Sequence, residues 1–257
     1  MFEGLVLFGQ FFTKLNIPLA IDEPLEKFRR NIQYITLFGF ILGALEGALV
    51  LGIGMIMPLW FAWLSYWMID GLITGGFHLD ALADTADGFF SSRTPDKIFA
   101  IMKDSRLGTM GSLALLYYYG LNFTLGLVLL PHLTAMQLTG LVALLTMLTK
   151  VGLSLQFYQM RYAGSPHGLS KIWLNVATWR IMVAQGIALG LIAWLTGWSG
   201  ILGYSAVIVT AWWYRRKVYK VLDGFSGDTL GAFACLTQLV FLLVLTVASQ
   251  FGLPMGW

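Results

Sequence analysis

Long apolar stretches dominate this chain and restrict the folds open to it. Windows of about 20 mostly apolar residues can cross the hydrocarbon core of a bilayer as helices. The chain is 58% hydrophobic and 11% charged, whereas soluble domains carry about 25% charged residues. We therefore predict an all-α, polytopic transmembrane bundle forming one domain over residues 1–257. About seven spans are expected, near residues 33–53, 55–76, 107–130, 135–157, 179–196, 199–214 and 229–251.

Two segments depart from this pattern of long apolar windows. The fifth and sixth spans are short, and we place their division at the Thr-Gly-Trp-Ser-Gly sequence of residues 196–200. Residues 2–15 have apolar side chains at helical spacing but reach Lys14 too soon for a span, which indicates an interfacial helix. No basic segment precedes a small-residue cleavage site, so we expect no removable signal peptide.

The basic residues predict the orientation in the membrane. All 16 lysines and arginines lie on one side of the predicted spans or close to it, with Lys150 counted among those near the fourth-to-fifth connection. The alternate connections, near residues 54–57, 131–134 and 197–199, contain none. The positive-inside rule then places the N-terminus and the polar clusters in the cytoplasm. Because the basic residues are spread over short loops, the net charge of +3 gives no reason to expect a nucleic-acid partner.

Three aspartates between the second and third spans form the most informative motif. Asp80, Asp84 and Asp87 are spaced i, i+4 and i+7, so on a helix they lie within about 60° of one another. Like charges at this spacing repel each other. Close carboxylates suit a hard cation such as Mg²⁺, which proteins often hold with one or two carboxylates, waters and a substrate phosphate. A solvated acidic helix face is the simpler alternative, although this stripe lies between membrane spans.

Further polar residues of the same side extend the candidate site. A second helix is predicted to begin at Thr94, with Pro95 in its first turn. The segment that follows combines a carboxylate, a hydroxyl and two cations, a combination that suits phosphate and metal. Its residues are Lys103, Asp104, Ser105 and Arg106. Asp228 opens the last span and is either a further metal ligand or a helix N-cap.

Four other ionisable residues remain open in their roles. His78 adjoins the aspartate stripe and is either a site residue or a structural residue at the helix end. Glu46 and Asp70 lie within predicted spans, where charge is costly, so each is a functional candidate by default. A hydrogen-bonded structural Glu46 is an equal possibility. His167 lies in a loop between basic residues, where contact with a substrate is possible.

The motifs together resemble a known family. Residues 74–88, Thr-Gly-Gly-Phe-His-Leu-Asp-Ala-Leu-Ala-Asp-Thr-Ala-Asp-Gly, followed by Ile-Met-Lys-Asp-Ser-Arg-Leu-Gly at 101–108, are similar to the signature of cobalamin synthase. Residues 12–18, 39–43 and 227–232 resemble its other motifs, so the similarity runs from about residue 10 to 245. The resemblance would place an acidic residue where this chain has Gln238.

The resemblance implies a membrane-bound adenosylcobinamide-GDP ribazoletransferase of the bacterial inner membrane. Its partners would be adenosylcobinamide-GDP, α-ribazole or α-ribazole 5′-phosphate, and the lipid bilayer, with Mg²⁺ as cofactor. Catalytic roles would fall to Asp80, Asp84, Asp87 and Asp104, with Asp87 as the candidate general base. The same four and Asp228 would bind metal. Substrate contacts would come from His78, Lys103, Ser105, Arg106 and Thr229.

Two other functions stay open at this stage. A CDP-alcohol phosphotransferase also uses clustered aspartates and Mg²⁺, but its motif continues into Ala-Arg where this chain has Phe89, Phe90 and Ser91. An ion-coupled transporter would use Glu46 and Asp70. Glycines spaced four apart over residues 39–47 allow close helix packing, within the chain or in a homo-oligomer.

Overall fold

The architecture is helical throughout the residues that the structure, a computed structural model, describes, which are 1–164 and 169–253. Ten α-helices follow one another there, joined by short turns and 3₁₀ segments. They are α1 (Phe2–Phe12), α2 (Pro24–Arg30), α3 (Ile35–Gly54), α4 (Leu59–Thr74), α5 (Phe77–Ser91), α6 (Pro95–Met102), α7 (Thr109–Leu129), α8 (Ala135–Ser154), α9 (Thr178–Leu222) and α10 (Gly227–Gln250). The predicted all-α fold is confirmed. His167 lies outside the described residues.

Five of these helices, α3, α7, α8, α9 and α10, are long and apolar enough to cross a bilayer. The predicted polytopic helical bundle is therefore confirmed, whereas the number of spans stays a prediction. The helix α4 has 16 residues, or about 24 Å of length, which is short for a bilayer core of about 30 Å. The N-terminal helix α1 also forms, although it ends at Phe12 because Thr13 is extended.

The long helix α9 is a hairpin of two arms. Its 45 residues are interrupted at Gly197, whose backbone angles of φ 57° and ψ −145° are non-helical. Only glycine adopts such a conformation without strain. Tyr204 donates a hydrogen bond to Gln185 from the other arm, although a straight helix would separate these residues by about 28 Å. The chain thus reverses at Gly197, within the segment where the sequence placed the division.

Small residues let α3 and α8 approach closely. A methyl group added to Gly43 would lie 2.7 Å from the carbonyl oxygen of Ala143, and one added to Gly47 would lie 2.8 Å from that of Thr139. Gly39 faces the backbone of the same helix in the same way. The glycine spacing singled out in the sequence is therefore used for packing within the chain.

A chain of hydrogen bonds ties five helices together inside the bundle. Tyr118 on α7 donates to the side-chain oxygen of Gln238 on α10, and the Gln238 amide donates to the Tyr66 hydroxyl on α4 at 2.9 Å. Tyr66 and Thr146 on α8 share a bond of 3.2 Å, and Thr146 donates to the Glu46 carboxylate on α3. We refer to these five residues as the polar chain. Because buried polar groups are costly unless bonded, it fixes the relative positions of the helices that surround it.

Candidate functional site

Two glycines place the aspartate helix at one end of the bundle. Gly75 and Gly76 have positive φ angles of 70° and 69°, a region that glycine enters without steric cost. Gly75 ends α4 and Gly76 precedes α5. The helix α5 then runs from Phe77 to Ser91, as the spacing of the aspartates predicted.

The three aspartates of α5 differ in exposure. Asp80 is exposed, Asp84 is half-buried and Asp87 is buried. Burial, and after it the negative charges of Asp80, Asp228 and Asp87, together raise the pKa of Asp84 to about 7. The protein itself thus holds Asp84 in a position where its ionised form lacks a compensating charge.

The helix α10 brings Asp228 to this group. It packs closely on α5, since a methyl added to Gly231 would lie 2.5 Å from the Cβ atom of Ala81. Asp228 is at the second position of α10, and its charge acts on Asp84. The alternative N-cap role belongs to Ser226, whose hydroxyl accepts the backbone N–H of Thr229 at 3.2 Å.

The predicted substrate contact Thr229 is part of this cap. Its hydroxyl is buried, accepts the Ser226 N–H at 2.8 Å and lies 3.1 Å from the Ser226 carbonyl oxygen, to which it can donate. This capping box orients the first turn of α10. The structure therefore shows Thr229 as the residue that sets the helix start beside Asp228, and its contact with a substrate stays a prediction.

Asp87 occupies a different environment from its neighbours on the stripe. One of its carboxylate oxygens accepts the backbone N–H of Gly108 at 2.8 Å, and the other accepts that of Gly111 at 2.9 Å. These groups belong to the N-terminus of α7, which favours negative charge. A side chain at either glycine would collide with the carboxylate. Asp87 therefore fastens α7 to α5.

The segment between α6 and α7 forms one wall of an open cleft of about 570 Å³. The Arg106 guanidinium forms a two-point ion pair with Asp104, with contacts of 3.0 and 2.6 Å, and these bonds lower the Asp104 pKa to about 2. Lys103 and Ser105 are exposed on the same segment. The cleft is also lined by Asp87 and Ser91.

The structure thus places the predicted site residues in two adjoining groups, and the charge of Asp87 in the second still acts on Asp84 in the first. Asp80, Asp84 and Asp228 form the first, which we name the acidic trio. The second surrounds the cleft and includes Asp87, Asp104 and Arg106. Asp104 is not among the residues whose charges shift the pKa of Asp84, which places it apart from the acidic trio.

The acidic trio suits a divalent cation by its chemistry. None of its carboxylates forms an ion pair within the residues that the structure describes. All its donors are oxygens, the ligands that Mg²⁺ prefers. Among the described residues, no three His, Cys, Asp or Glu side chains are already gathered as a metal cage. Mg²⁺ does not require one, because waters and substrate phosphates usually complete its shell.

His78 lies on the other side of α5. Its ring is buried against Phe12 and Phe77, and burial holds its pKa well below the usual value. It borders a cavity of about 10 Å³ together with Asp70, whereas Asp80 two residues later is exposed. The structure does not bring the His78 ring together with the acidic trio, and its contact with a substrate stays a prediction.

Lys150 is the residue that the sequence interpretation misplaced. It was grouped with the basic residues near a connection, but it lies within α8 and is fully buried. Its ammonium group has no hydrogen-bond partner among the described residues and lies 5.9 Å from the centre of the Phe12 ring. The nearby opposite charges are those of Glu46 and Asp70. Its position inside a predicted span was the feature that could have identified it.

Comparisons with known proteins agree with the resemblance noted above. The family model described as cobalamin-5-phosphate synthase matches residues 4–246. A relative from Listeria welshimeri is 37% identical over 245 residues, covering 95% of this chain and 98% of its own. Relatives from Klebsiella pneumoniae and Clostridium novyi are 35% and 31% identical, over 91% and 98% of this chain and 96% and 99% of their own.

All three relatives are named adenosylcobinamide-GDP ribazoletransferase. No solved structure matches the chain significantly. Both the family model and the relatives extend over the aspartate helix, the cleft and the start of α10. The chain therefore belongs to the cobalamin-5-phosphate synthase family.

Proposed function

We propose that this protein transfers the adenosylcobinamide-phosphate group of adenosylcobinamide-GDP to α-ribazole or α-ribazole 5′-phosphate, a late step of cobalamin biosynthesis. The acceptor oxygen attacks the phosphorus on the corrinoid side, the bond from that phosphorus to the GMP oxygen breaks, and GMP leaves. The observation that carries the proposal is the acidic trio, three carboxylates that form no ion pair among the described residues and that lie within the range matched by the family model.

The acidic trio would hold Mg²⁺. The metal would neutralise charge on the diphosphate as the leaving group departs. Asp84 suits this role because burial and the repulsion of neighbouring acids raise its pKa to about 7, and a bound cation would offset that repulsion. Asp80 and Asp228 lie on two helices that pack together, and the charges of both act on Asp84.

The cleft would receive the nucleotide end of the donor. Arg106 can bind phosphate oxygens with its planar guanidinium, and Lys103 supplies a second exposed cation on the same segment. Asp104 already orients Arg106 through the two-point ion pair. A phosphate in the cleft would bind the N–H groups of Arg106 that Asp104 does not use, on a guanidinium that the protein has already oriented.

Asp87 would act mainly by positioning. The sequence interpretation favoured it as general base, yet both of its oxygens accept backbone N–H bonds. Both oxygens are therefore engaged in fixing the start of α7 against α5. The proton of the ribazole hydroxyl would pass instead to a carboxylate of the acidic trio or to solvent at the exposed Asp80.

We place the protein in the bacterial inner membrane with this end of the bundle in the cytoplasm. By the predicted topology, the basic residues other than the buried Lys150 lie at the end that carries α5 and α6, in accordance with the positive-inside rule. The nucleotide donor would then be accessible from the cytoplasm, while the bulky corrinoid could rest against apolar surface.

The test is release of GMP by the purified, detergent-solubilised protein. We expect release only when adenosylcobinamide-GDP, α-ribazole and Mg²⁺ are all present, and we expect EDTA to stop it. Folded protein that releases no GMP with either acceptor would contradict the reaction. Release that continues in EDTA would contradict the metal assignment alone.

A further inference from the structure

The two arms of α9 carry tryptophans at both ends of the hairpin. Trp194 and Trp198 flank the turn at Gly197, and Trp179, Trp212 and Trp213 lie at the opposite end; all five are more than half exposed. On each arm the two levels are about 22 Å apart along the helix axis. Tryptophans concentrate near both membrane–water interfaces, so these residues mark the two ends of the apolar surface of the hairpin. The segment from Trp213 to Lys220 extends about 10 Å further along the axis, and with it the arm approaches the roughly 30 Å of a bilayer core.

The two ends of the hairpin differ in charge. No basic residue occurs between Arg180 and Arg215, so the turn end is free of positive charge. At the other end, the Arg216 guanidinium lies 3.8 Å from the centre of the Trp212 ring, and the Lys217 ammonium lies 5.7 Å from that of Trp213. One turn further, Lys220 is exposed on the same arm.

These three cations lack anionic partners within the part of the chain that the structure describes. The neighbouring arginines are used internally: Arg215 donates to the backbone of Gln156 and Gln159, and Arg161 pairs with Asp223. Arg216, Lys217 and Lys220 form no ion pair there. Stacking on tryptophan holds two of them in place without neutralising them.

We propose that Trp212, Trp213, Arg216, Lys217 and Lys220 form a binding surface for the phosphate headgroup of an anionic phospholipid. Charge complementarity identifies the occupant: three uncompensated cations lie immediately beyond the apolar arm, at the depth of the headgroup phosphates, where each basic residue favours anionic lipid. The tryptophan rings contribute contact with the upper acyl region. This surface is distinct from the acidic trio, and the proposal does not depend on the reaction.

The experiment measures which lipids stay bound. The protein is reconstituted in phosphatidylcholine containing a minor share of phosphatidylglycerol, extracted gently, and its retained lipids are counted by native mass spectrometry. We expect phosphatidylglycerol to be enriched about fivefold over its share in the bilayer, the preference expected of roughly one charge near the membrane surface. The triple variant Arg216→Gln, Lys217→Gln, Lys220→Gln should retain lipids in the bulk ratio.

A charge-matched control separates this surface from net charge. Lys14, Lys97 and Lys171 are exposed and none is stacked on an aromatic ring among the described residues, so their triple change to Gln should keep the enrichment. Equal loss in both triple variants, or unchanged enrichment in the first, would overturn the proposal. Displacement of the lipid by millimolar GMP would instead assign the surface to a nucleotide phosphate. If the first triple variant fails to fold, Arg216→Gln alone should still reduce the enrichment measurably.

Discussion

Asp84 on α5 and Glu46 inside the bundle are both carboxylates withdrawn from water, but their surroundings differ in kind. Glu46 is fully buried and ends the polar chain, accepting a hydrogen bond from Thr146. Asp84 is half-buried, and this burial together with the charges of Asp80, Asp228 and Asp87 raises its pKa to about 7. The protein supplies a hydrogen-bond donor to one oxygen of the Glu46 carboxylate, whereas it surrounds Asp84 with further acids.

This difference indicates a structural role for Glu46 and a ligand-binding role for Asp84. A buried group with partners contributes to a defined packing, whereas repulsion among uncompensated acids costs stability until a cation arrives. The polar chain also argues against an ion-coupled transporter. It includes the amide of Gln238, which links two hydroxyl groups as donor and acceptor and does not exchange protons as a carboxyl group would.

The largest effect should follow from Asp84→Asn, which removes a metal ligand and its charge. We expect GMP release to fall by about 10³-fold or more, because stabilisation of the transferring phosphate depends on the cation. The metal-free variant should nevertheless unfold at a higher temperature than wild type, since a source of repulsion is gone. The control is Asp96→Asn, an exposed aspartate at the start of α6. Near-normal turnover of Asp84→Asn would remove Asp84 from the metal site.

Lys150 extends the comparison to a cation within the bundle. Lys150→Met leaves Asp70 and Glu46 without a nearby positive charge, and loss of one buried partner typically costs about 3–5 kcal/mol of unfolding free energy. Denaturant or thermal unfolding in detergent measures the loss. Adding Asp70→Asn to the same chain should restore part of the stability, because the uncompensated carboxylate is removed. A Lys150→Met protein as stable as wild type would show that the ammonium is not needed to balance these acids.

Most of the architecture and part of the site could be predicted from the sequence. The helix of the aspartate stripe and the reversal near Gly197 follow from local spacing and glycine content, which the sequence displays directly. The separation of Asp87 from Asp84 depends on backbone N–H groups of Gly108 and Gly111, more than 20 residues away. Lys150 was misplaced because a basic residue near a span end satisfies the positive-inside rule whether it is exposed or buried. No local pattern encodes these long-range contacts.

The change Asp87→Asn should lower the stability of the protein, whereas Asp84→Asn should raise that of the metal-free protein. Asp87→Asn keeps one acceptor oxygen but loses the charge and one of the two bonds to the start of α7. We expect a loss of about 1–3 kcal/mol of stability, together with reduced turnover. The Mg²⁺ concentration for half-maximal activity should change little, because Asp87 lies outside the acidic trio. A stable Asp87→Asn protein with a strongly raised Mg²⁺ requirement would return Asp87 to the metal site.

The pH dependence of stability should report on Asp84. The pKa of this carboxyl is about 7 in the folded protein and about 4 in an unfolded chain, so between these values the folded state binds more protons. The contribution of Asp84 to stability is therefore present at low pH and lost as pH rises toward 7, without further change above it. Unfolding midpoints in EDTA from pH 5 to 8 should show this slope in wild type and a smaller one in Asp84→Asn. Equal slopes would contradict the assigned pKa.

The smallest effect should come from Glu46→Gln, the matched change at the other end of the comparison. Glutamine keeps a side-chain oxygen that can accept the Thr146 hydroxyl, so the polar chain stays intact and stability should change by less than about 1 kcal/mol. Turnover should stay within a few-fold of wild type, measured as GMP release beside the Asp84→Asn protein. A folded but inactive Glu46→Gln enzyme would show that ionisation of Glu46 matters. Glu46 could then no longer be assigned a purely structural role. Proton movement through the bundle would have to be reconsidered.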